Sequence, residues 1–248
     1  EPDLFDDEKQ HYGYFDKCGC LSKPVWNKYA DGVIETVLSL ATPMIEEVVG
    51  KKLMPTYSWA RLYEHETSMD RHIDQSTCDV SATLTLGYEL HNMDDKDKEN
   101  YCWPIFFGDV SGRKGTEGKP IQLLPGQMCV YQGTKIEHWR EPFRGLNQAQ
   151  VFLHYNEKEG QYNIPYDGRP LLGMPAKFRT QESLDKSSSL DENLDESVPT
   201  FDQDAPASLK LILISAASGL LCTNLRSRFT NGCIRLFTIV STAFFIPL

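Results

Sequence analysis

Residues 71–74 read Arg-His-Ile-Asp, inside the stretch YSWARLYEHETSMDRHIDQSTCDVSATLTL, which is otherwise strand-like. In a strand, side chains at i and i+2 point to the same face, so His72 and Asp74 would sit side by side. Imidazole and carboxylate are both ligands of divalent ions. Two histidines and one carboxylate on one face of an octahedral ion, with the other positions open, suit non-haem Fe(II) oxygen chemistry. The competing reading is a surface polar pair, because a histidine and an aspartate two apart recur by chance.

A metal site needs a third ligand, and the chain offers only six histidines. His11 lies in a polar N-terminal stretch, His65 precedes a turn, His91 opens a charged loop, and His154 sits inside an apolar run between Leu153 and Tyr155. His138, in GTKIEHWREPF, lies between two strand-like runs, where it can meet the first pair across the mouth of a barrel. For any lone histidine a satisfied core or surface position remains the alternative.

These residues must be positioned by the surrounding elements. From Tyr29 to Gly50 the apolar residues Val33, Ile34, Val37, Leu38, Ala41, Met44, Ile45 and Val48 recur at helical steps. Thr42 and Pro43 fit an N-cap and a first helical position, predicting two helices or one kinked helix. Gly50 is suited to end the last turn. Beyond Thr56 the runs YSWARLY, DVSATLTLGY, WPIFFG, KPIQLLP, QMCVYQG and QAQVFLHY are rich in β-branched and aromatic residues and are separated by turn formers. NMDDKDKEN, at 92–100, reads as a charged surface loop. Helices followed by six or more strands predict an antiparallel barrel or sandwich backed by N-terminal helices.

Composition bounds the function. The 248 residues are 40% hydrophobic and 24% charged, as in an ordinary globular protein. The net charge of −10 argues against a nucleic-acid backbone as partner. Seven cysteines at irregular spacing do not form a disulfide framework, so reduced thiols and a cytoplasmic setting are expected. Cys18 and Cys20, in KCGC, lack a second pair at zinc-site spacing. The opening Glu1 reads as a fragment or processed product, and no signal peptide is visible.

The segment QESLDKSSSLDENLDESVPTFDQD is acidic and Ser-rich, as in a disordered linker. The apolar runs 211–225 and 236–248 fall short of a membrane helix. They read as an extension outside the catalytic fold, with a C-terminal membrane anchor as the less favoured reading. The expected organisation is a helical support region (1–55), a β domain (56–180), the acidic linker (181–208) and the apolar extension (209–248).

Taken together, WARLYEHETSMDRHIDQSTCDVSATLTLGY, WPIFFGDV, LLPGQMCVYQGTKIEHWREPF and QVFLHY resemble the catalytic domain of prolyl 4-hydroxylase-type 2-oxoglutarate/Fe(II) dioxygenases. The resemblance covers about residues 56–157. It implies a mainly β chain with N-terminal helices and a double-stranded β-helix (jelly-roll) core. It implies Fe(II) as metal, 2-oxoglutarate and O2 as cosubstrates, ascorbate as an optional reductant, and release of succinate and CO2 as an unactivated C–H bond is hydroxylated. The implied substrate is a prolyl residue of a protein or peptide, although the fold serves many substrates, small molecules included.

Carried over by motif, His72, Asp74 and His138 match the iron ligands, Tyr63 matches a tyrosine lining the 2-oxoglutarate pocket, and Thr85 falls at a polar pocket position whose face Thr83 shares. Trp139, beside His138, is expected to pack. One departure stands out. The family carries Arg or Lys nine to ten residues after the distal histidine, where this chain has Asn147 and Gln148. A buried dicarboxylate without a cation is costly, so a substitute is expected. Arg61, on the face of Tyr63, and Arg144, in the loop after His138, are the two candidates. The departure also keeps open a cupin-type metal enzyme that does not use 2-oxoglutarate. A jelly-roll binding module without turnover is the third reading.

Overall fold

Alternation along each long strand gives the β-sheet two faces of different chemistry, and each face is covered by a different partner. The computed structural model describes residues 7–17, 19–99, 101–109, 111–186, 189, 212–216 and 241–245. In chain order the elements are α1 (Asp7–Tyr12), β1 (Tyr14–Asp16), β2 (Val25–Tyr29), α2 (Gly32–Val49), β3 (Leu53–Glu64), β4 (Met69–His72) and β5 (Val80–Glu89). They continue with α3 (Asp95–Lys98), β6 (Ile105–Phe107), β7 (Lys119–Ile121), β8 (Gln127–Tyr131), β9 (His138–Arg140), β10 (Asn147–Glu157), β11 (Ile212–Ala216) and β12 (Ser241–Phe245). All six strand-like runs of the sequence are strands. The short α3 lies within the stretch expected to be loop.

From β3 to β10 the chain deals its strands between two sheets. One holds β3-β10-β5-β8 as neighbours and the other holds β4-β9-β6-β7. Every pairing among them is antiparallel. This is the expected jelly-roll, a double-stranded β-helix with few helices. The N-terminal segment extends the larger sheet through β2 and β1. At the opposite edge β11 pairs with β8 through Ile214↔Met128 and Ser215↔Gln127, and β12 pairs with β11. Residues 181–186 of the expected acidic linker are helical. The rest of that linker except Ser189, and the apolar extension outside β11 and β12, lie outside the described residues.

The outward residues of the large sheet are apolar. Val80 and Ala82 of β5, Met128 and Val130 of β8, and Val151, Leu153 and Tyr155 of β10 pack against Leu38, Ala41, Ile45 and Val48 of α2. The helix is one continuous element rather than two. Asp31 is its N-cap, accepting from Val33 N at 3.0 Å and Ile34 N at 3.3 Å. The Thr42 hydroxyl instead donates to Leu38 O within the helix, and Gly50 ends it in the left-handed region at φ 73°. Pro43 removes one N–H and costs about 3 kcal/mol. The carbonyl it leaves without an in-helix partner belongs to exposed Ser39, and burial of the α2 stripe offsets the loss.

A buried ion pair fixes α2 to the barrel. Glu35 Oε1 accepts from Arg169 Nη2 at 2.7 Å and from Ser58 N of β3 at 3.3 Å, and Gly173 N donates to Glu35 Oε2. Arg169 Nη2 also donates to Thr56 O at 2.9 Å, and its guanidinium lies over the Tyr29 ring. Removing one partner leaves an uncompensated buried charge. Glu35→Ala should therefore lower the unfolding free energy by about 3–5 kcal/mol in urea titration. A loss below about 1 kcal/mol, the scale of a solvent-exposed pair, would contradict this role.

Candidate metal centre

β4 and β9 bring the two histidines together. His72 pairs in register with His138, after an irregularity that separates this pair from Met69↔Arg140. Asp74 was expected on the same strand face but lies just beyond the end of β4. Its position is set by two contacts: its N–H donates to Gly133 O at 2.8 Å, and Ser81 Oγ donates to its Oδ2 at 2.7 Å. Oδ1 is left facing the imidazoles, 3.8 Å from His72 Nε2 and 3.5 Å from His138 Nε2.

Backbone carbonyls orient both rings. His72 Nδ1 donates to Asp70 O at 2.8 Å and His138 Nδ1 to Ile136 O at 3.0 Å. A neutral imidazole with a proton on Nδ1 presents its lone pair on Nε2. The three ligand atoms lie within 4.8 Å of one another. Two imidazole nitrogens and one carboxylate oxygen therefore converge on one point, at a spacing compatible with bonds of about 2.0–2.2 Å. The donor set fits Fe(II) or a similar divalent ion.

The local electrostatics favour a cation. Burial works to raise the Asp74 carboxyl, but the His138 charge and hydrogen bond, with His154 and His72 behind them, hold it well below the usual carboxylate range. Burial works to lower His72, yet the Cys20 hydrogen bond and charge and the Asp74 charge push it up to about 9. A bound metal ion takes the place of such protons. His154 is drawn down to about 4, chiefly by burial, and is neutral at neutral pH. Because Ser81 spends its single proton on Asp74, His154 Nδ1 must donate to Ser81 Oγ across 3.0 Å. His154, Ser81 and Asp74 thus form a chain of fixed direction.

Gly133 is the tightest constraint at the site. A Cβ there would lie 2.4 Å from Asp74 Oδ2, 2.4 Å from Cys78 O and 2.5 Å from Ser81 Oγ. The backbone between β8 and β9 can approach Asp74 this closely only without a side chain.

The three ligands border a cavity of about 670 Å³, whose wall includes Cys20, Tyr57, Trp59, Arg61, Met69, Tyr131, Phe152 and His154. Arg61 stands between the Trp59 and Phe152 rings, and its Nε donates to Asn27 Oδ1 at 2.8 Å. Tyr63 is fully buried on the same face of β3, within 3.5 Å of Arg61 Nη1. Thr85 and Thr83 also point inward: Thr85 Oγ1 donates to Gln150 Oε1, and Gln150 Nε2 donates to Thr83 Oγ1. Arg144 is not part of this assembly. It is exposed on the loop after β9 and pairs with Asp97 at 2.9 Å. Trp139 packs as expected, stacked on Phe106 beneath the Arg71 guanidinium.

Ser81, Gly133 and His154 were not singled out by the sequence. For His154 the signal was present: Leu153 and Tyr155 flank it in a strand, so it must face the opposite side. Nothing local marks Gly133 or Ser81, because their roles depend on three segments meeting. Ser81→Ala should weaken binding of Mn(II), an air-stable probe, by about 10–100-fold while the protein stays folded. Gly133→Ala should weaken it at least as much. Unchanged Mn(II) affinity in both variants would show that Asp74 needs neither support.

No family model matches the sequence, and no curated protein matches it. Solved structures do. An oxidoreductase of the 2OG-Fe(II) oxygenase family from Burkholderia pseudomallei is 12% identical with a TM-score of 0.45, over 60% of this chain and 76% of that one. A Pseudomonas putida prolyl-4-hydroxylase is 12% identical with a TM-score of 0.42, over 58% and 77%. A Trichoplax adhaerens prolyl hydroxylase, in complex with a hypoxia inducible factor peptide fragment, is 14% identical with a TM-score of 0.41, over 54% and 64%.

Proposed function

We propose that this chain is an Fe(II)- and 2-oxoglutarate-dependent oxygenase that hydroxylates an unactivated C–H bond. The observation that carries the reading is the convergence of His72 Nε2, His138 Nε2 and Asp74 Oδ1 on one point beside a cavity. Ligands gathered on one side leave positions open toward that cavity, as this chemistry requires. The motif resemblance around the same three residues supports the choice of cosubstrate. Bound there, Fe(II) would supply O2 activation coupled to decarboxylation of 2-oxoglutarate.

The protein's own contribution is positioning and shielding. Backbone carbonyls fix the imidazole tautomers, and Ser81 with His154 holds Asp74 in one rotamer. Tyr57, Trp59, Tyr131 and Phe152 give the cavity an aromatic wall that limits water around the reacting groups. The substrate we propose to test first is a prolyl residue in a peptide, on the strength of the sequence resemblance. A cytoplasmic setting remains part of the proposal on the irregular spacing of the seven cysteines in the sequence. No described helix is long and apolar enough to cross a membrane.

Anaerobic addition of Fe(II) and 2-oxoglutarate should produce a visible metal-to-ligand charge-transfer band. Admission of O2 should then release succinate. His72→Ala and Asp74→Ala should abolish both signals without unfolding the chain. Metal binding without the band would favour the cupin-type enzyme that does not use 2-oxoglutarate. A band without succinate release, across candidate substrates, would favour the binding module.

A further inference from the structure

Arg140 is the largest fully buried side chain among the described residues, with 1% of its surface exposed. It lies two residues after His138 on β9 and so shares that residue's inward face. Its Nη1 donates to Trp103 O at 2.9 Å, and its guanidinium lies 4.5 Å from the centre of the Trp103 ring. Among the described residues, Nε and Nη2 have no hydrogen-bond partner. The groups that act on it most strongly are Tyr63, Tyr131, Cys102 and Cys129.

An arginine remains charged in a protein, and a buried charge without a counter-ion is strongly unfavourable. The unpartnered atoms are also the informative ones. Nε–H and one Nη2–H point the same way from one edge of the guanidinium, the geometry that grips a carboxylate with two parallel hydrogen bonds. The occupied Nη1 orients that edge.

The surroundings fit a ligand that reaches from the metal centre to this edge. Met69 and Tyr131 border the cavity; Met69 lies opposite Arg140 in strand register, and the Tyr131 hydroxyl is one of the groups acting electrostatically on Arg140. Across the barrel a group of inward side chains on β5 and β10 is polar. Gln148 Nε2 donates to Gln150 Oε1, and Gln150 is tied to Thr83 and Thr85. Gln148 is buried and lies opposite Tyr63 in register, so the strand position that could have carried a cation carries a neutral amide.

We propose that the Nε–Nη2 edge of Arg140 binds the C5 carboxylate of 2-oxoglutarate, filling from β9 the role that a basic residue at position 148 would fill from β10. The inference rests on the Fe(II)/2-oxoglutarate reading and adds the residue that selects a dicarboxylate. Arg61 is the competing cation, and the same experiment separates the two.

The test is anaerobic titration of the Fe(II)-loaded full chain, followed by the charge-transfer band, and of the Mn(II)-loaded chain by calorimetry. The probes are 2-oxoglutarate and 2-oxopentanoate, which has the same carbon chain without the second carboxylate. The unmutated chain should prefer 2-oxoglutarate by about 100-fold, the worth of two charge-assisted hydrogen bonds. Arg140→Met should erase that preference by weakening 2-oxoglutarate alone, with Mn(II) affinity retained. Arg140→Lys, which keeps the charge but not the fork, should retain about a tenth of it. If Arg140→Met does not fold, the lysine variant and the unmutated preference decide. Equal preference in Arg140→Lys and the unmutated chain, or loss of preference in Arg61→Met with Arg140→Met unaffected, would overturn the assignment while leaving the oxygenase reading intact. Failure of the unmutated, metal-loaded chain to bind 2-oxoglutarate would overturn both.

Discussion

A carboxylate taken out of water must find charge or hydrogen-bond donors to replace its hydration, and most of the candidate centre is organised around meeting that demand for Asp74. The Ser81 hydroxyl occupies one oxygen, two imidazoles face the other, and the Asp74 backbone N–H is held by Gly133 O. Each supporter comes from a different part of the fold: Ser81 from β5, His138 from β9, Gly133 from the turn before it. The carboxylate can be ionised and fixed only if the barrel closes correctly. A glycine at 133 is the condition on which the closure depends, because any side chain there would displace Asp74 or Ser81.

The two faces of the large sheet divide the labour. Outward residues of β5, β8 and β10 are apolar and pack against α2, which supplies stability through area removed from water. Inward residues of the same strands include Ser81, Thr83, Thr85, Gln148, Gln150 and His154, all buried. Burying that much polarity is tolerable because these groups satisfy one another. It is also purposeful, since a polar interior next to a three-ligand cluster can accept a polar, charged ligand. On the other sheet, Arg140 of β9 is a buried cation with two donors that no described residue answers.

Much of this organisation was legible in the sequence because strand periodicity is a local signal. The six β runs, the helix stop at Gly50 and the inward pairing of Tyr63 with Arg61 all follow from alternation or turn chemistry. His72, Asp74 and His138 stood out as candidates by ligand type and by elimination among few histidines, with a surface pair left open, and the family resemblance is what implied them as iron ligands. What local pattern could not deliver was the reason for each position. Asp74 is placed by a loop, not by the strand face that the i, i+2 rule suggested. Thr42–Pro43 reads as a helix start in isolation, but the apolar stripe that continues across it docks on the sheet as one helix. Arg144 is near His138 in sequence and on the outside in space. Arg140 is nearer still, and it is the arginine whose alternation with His138 points inward.

Everything in the proposed function turns on one metal ion held by His72, Asp74 and His138, with its remaining positions open to the cavity. Anomalous-difference density from an anaerobic crystal of the Fe(II)-loaded chain tests it most directly. The expected result is a single strong peak, about 2.0–2.2 Å from His72 Nε2, His138 Nε2 and an Asp74 oxygen. A peak coordinated by other residues, or none under saturating Fe(II), would contradict it.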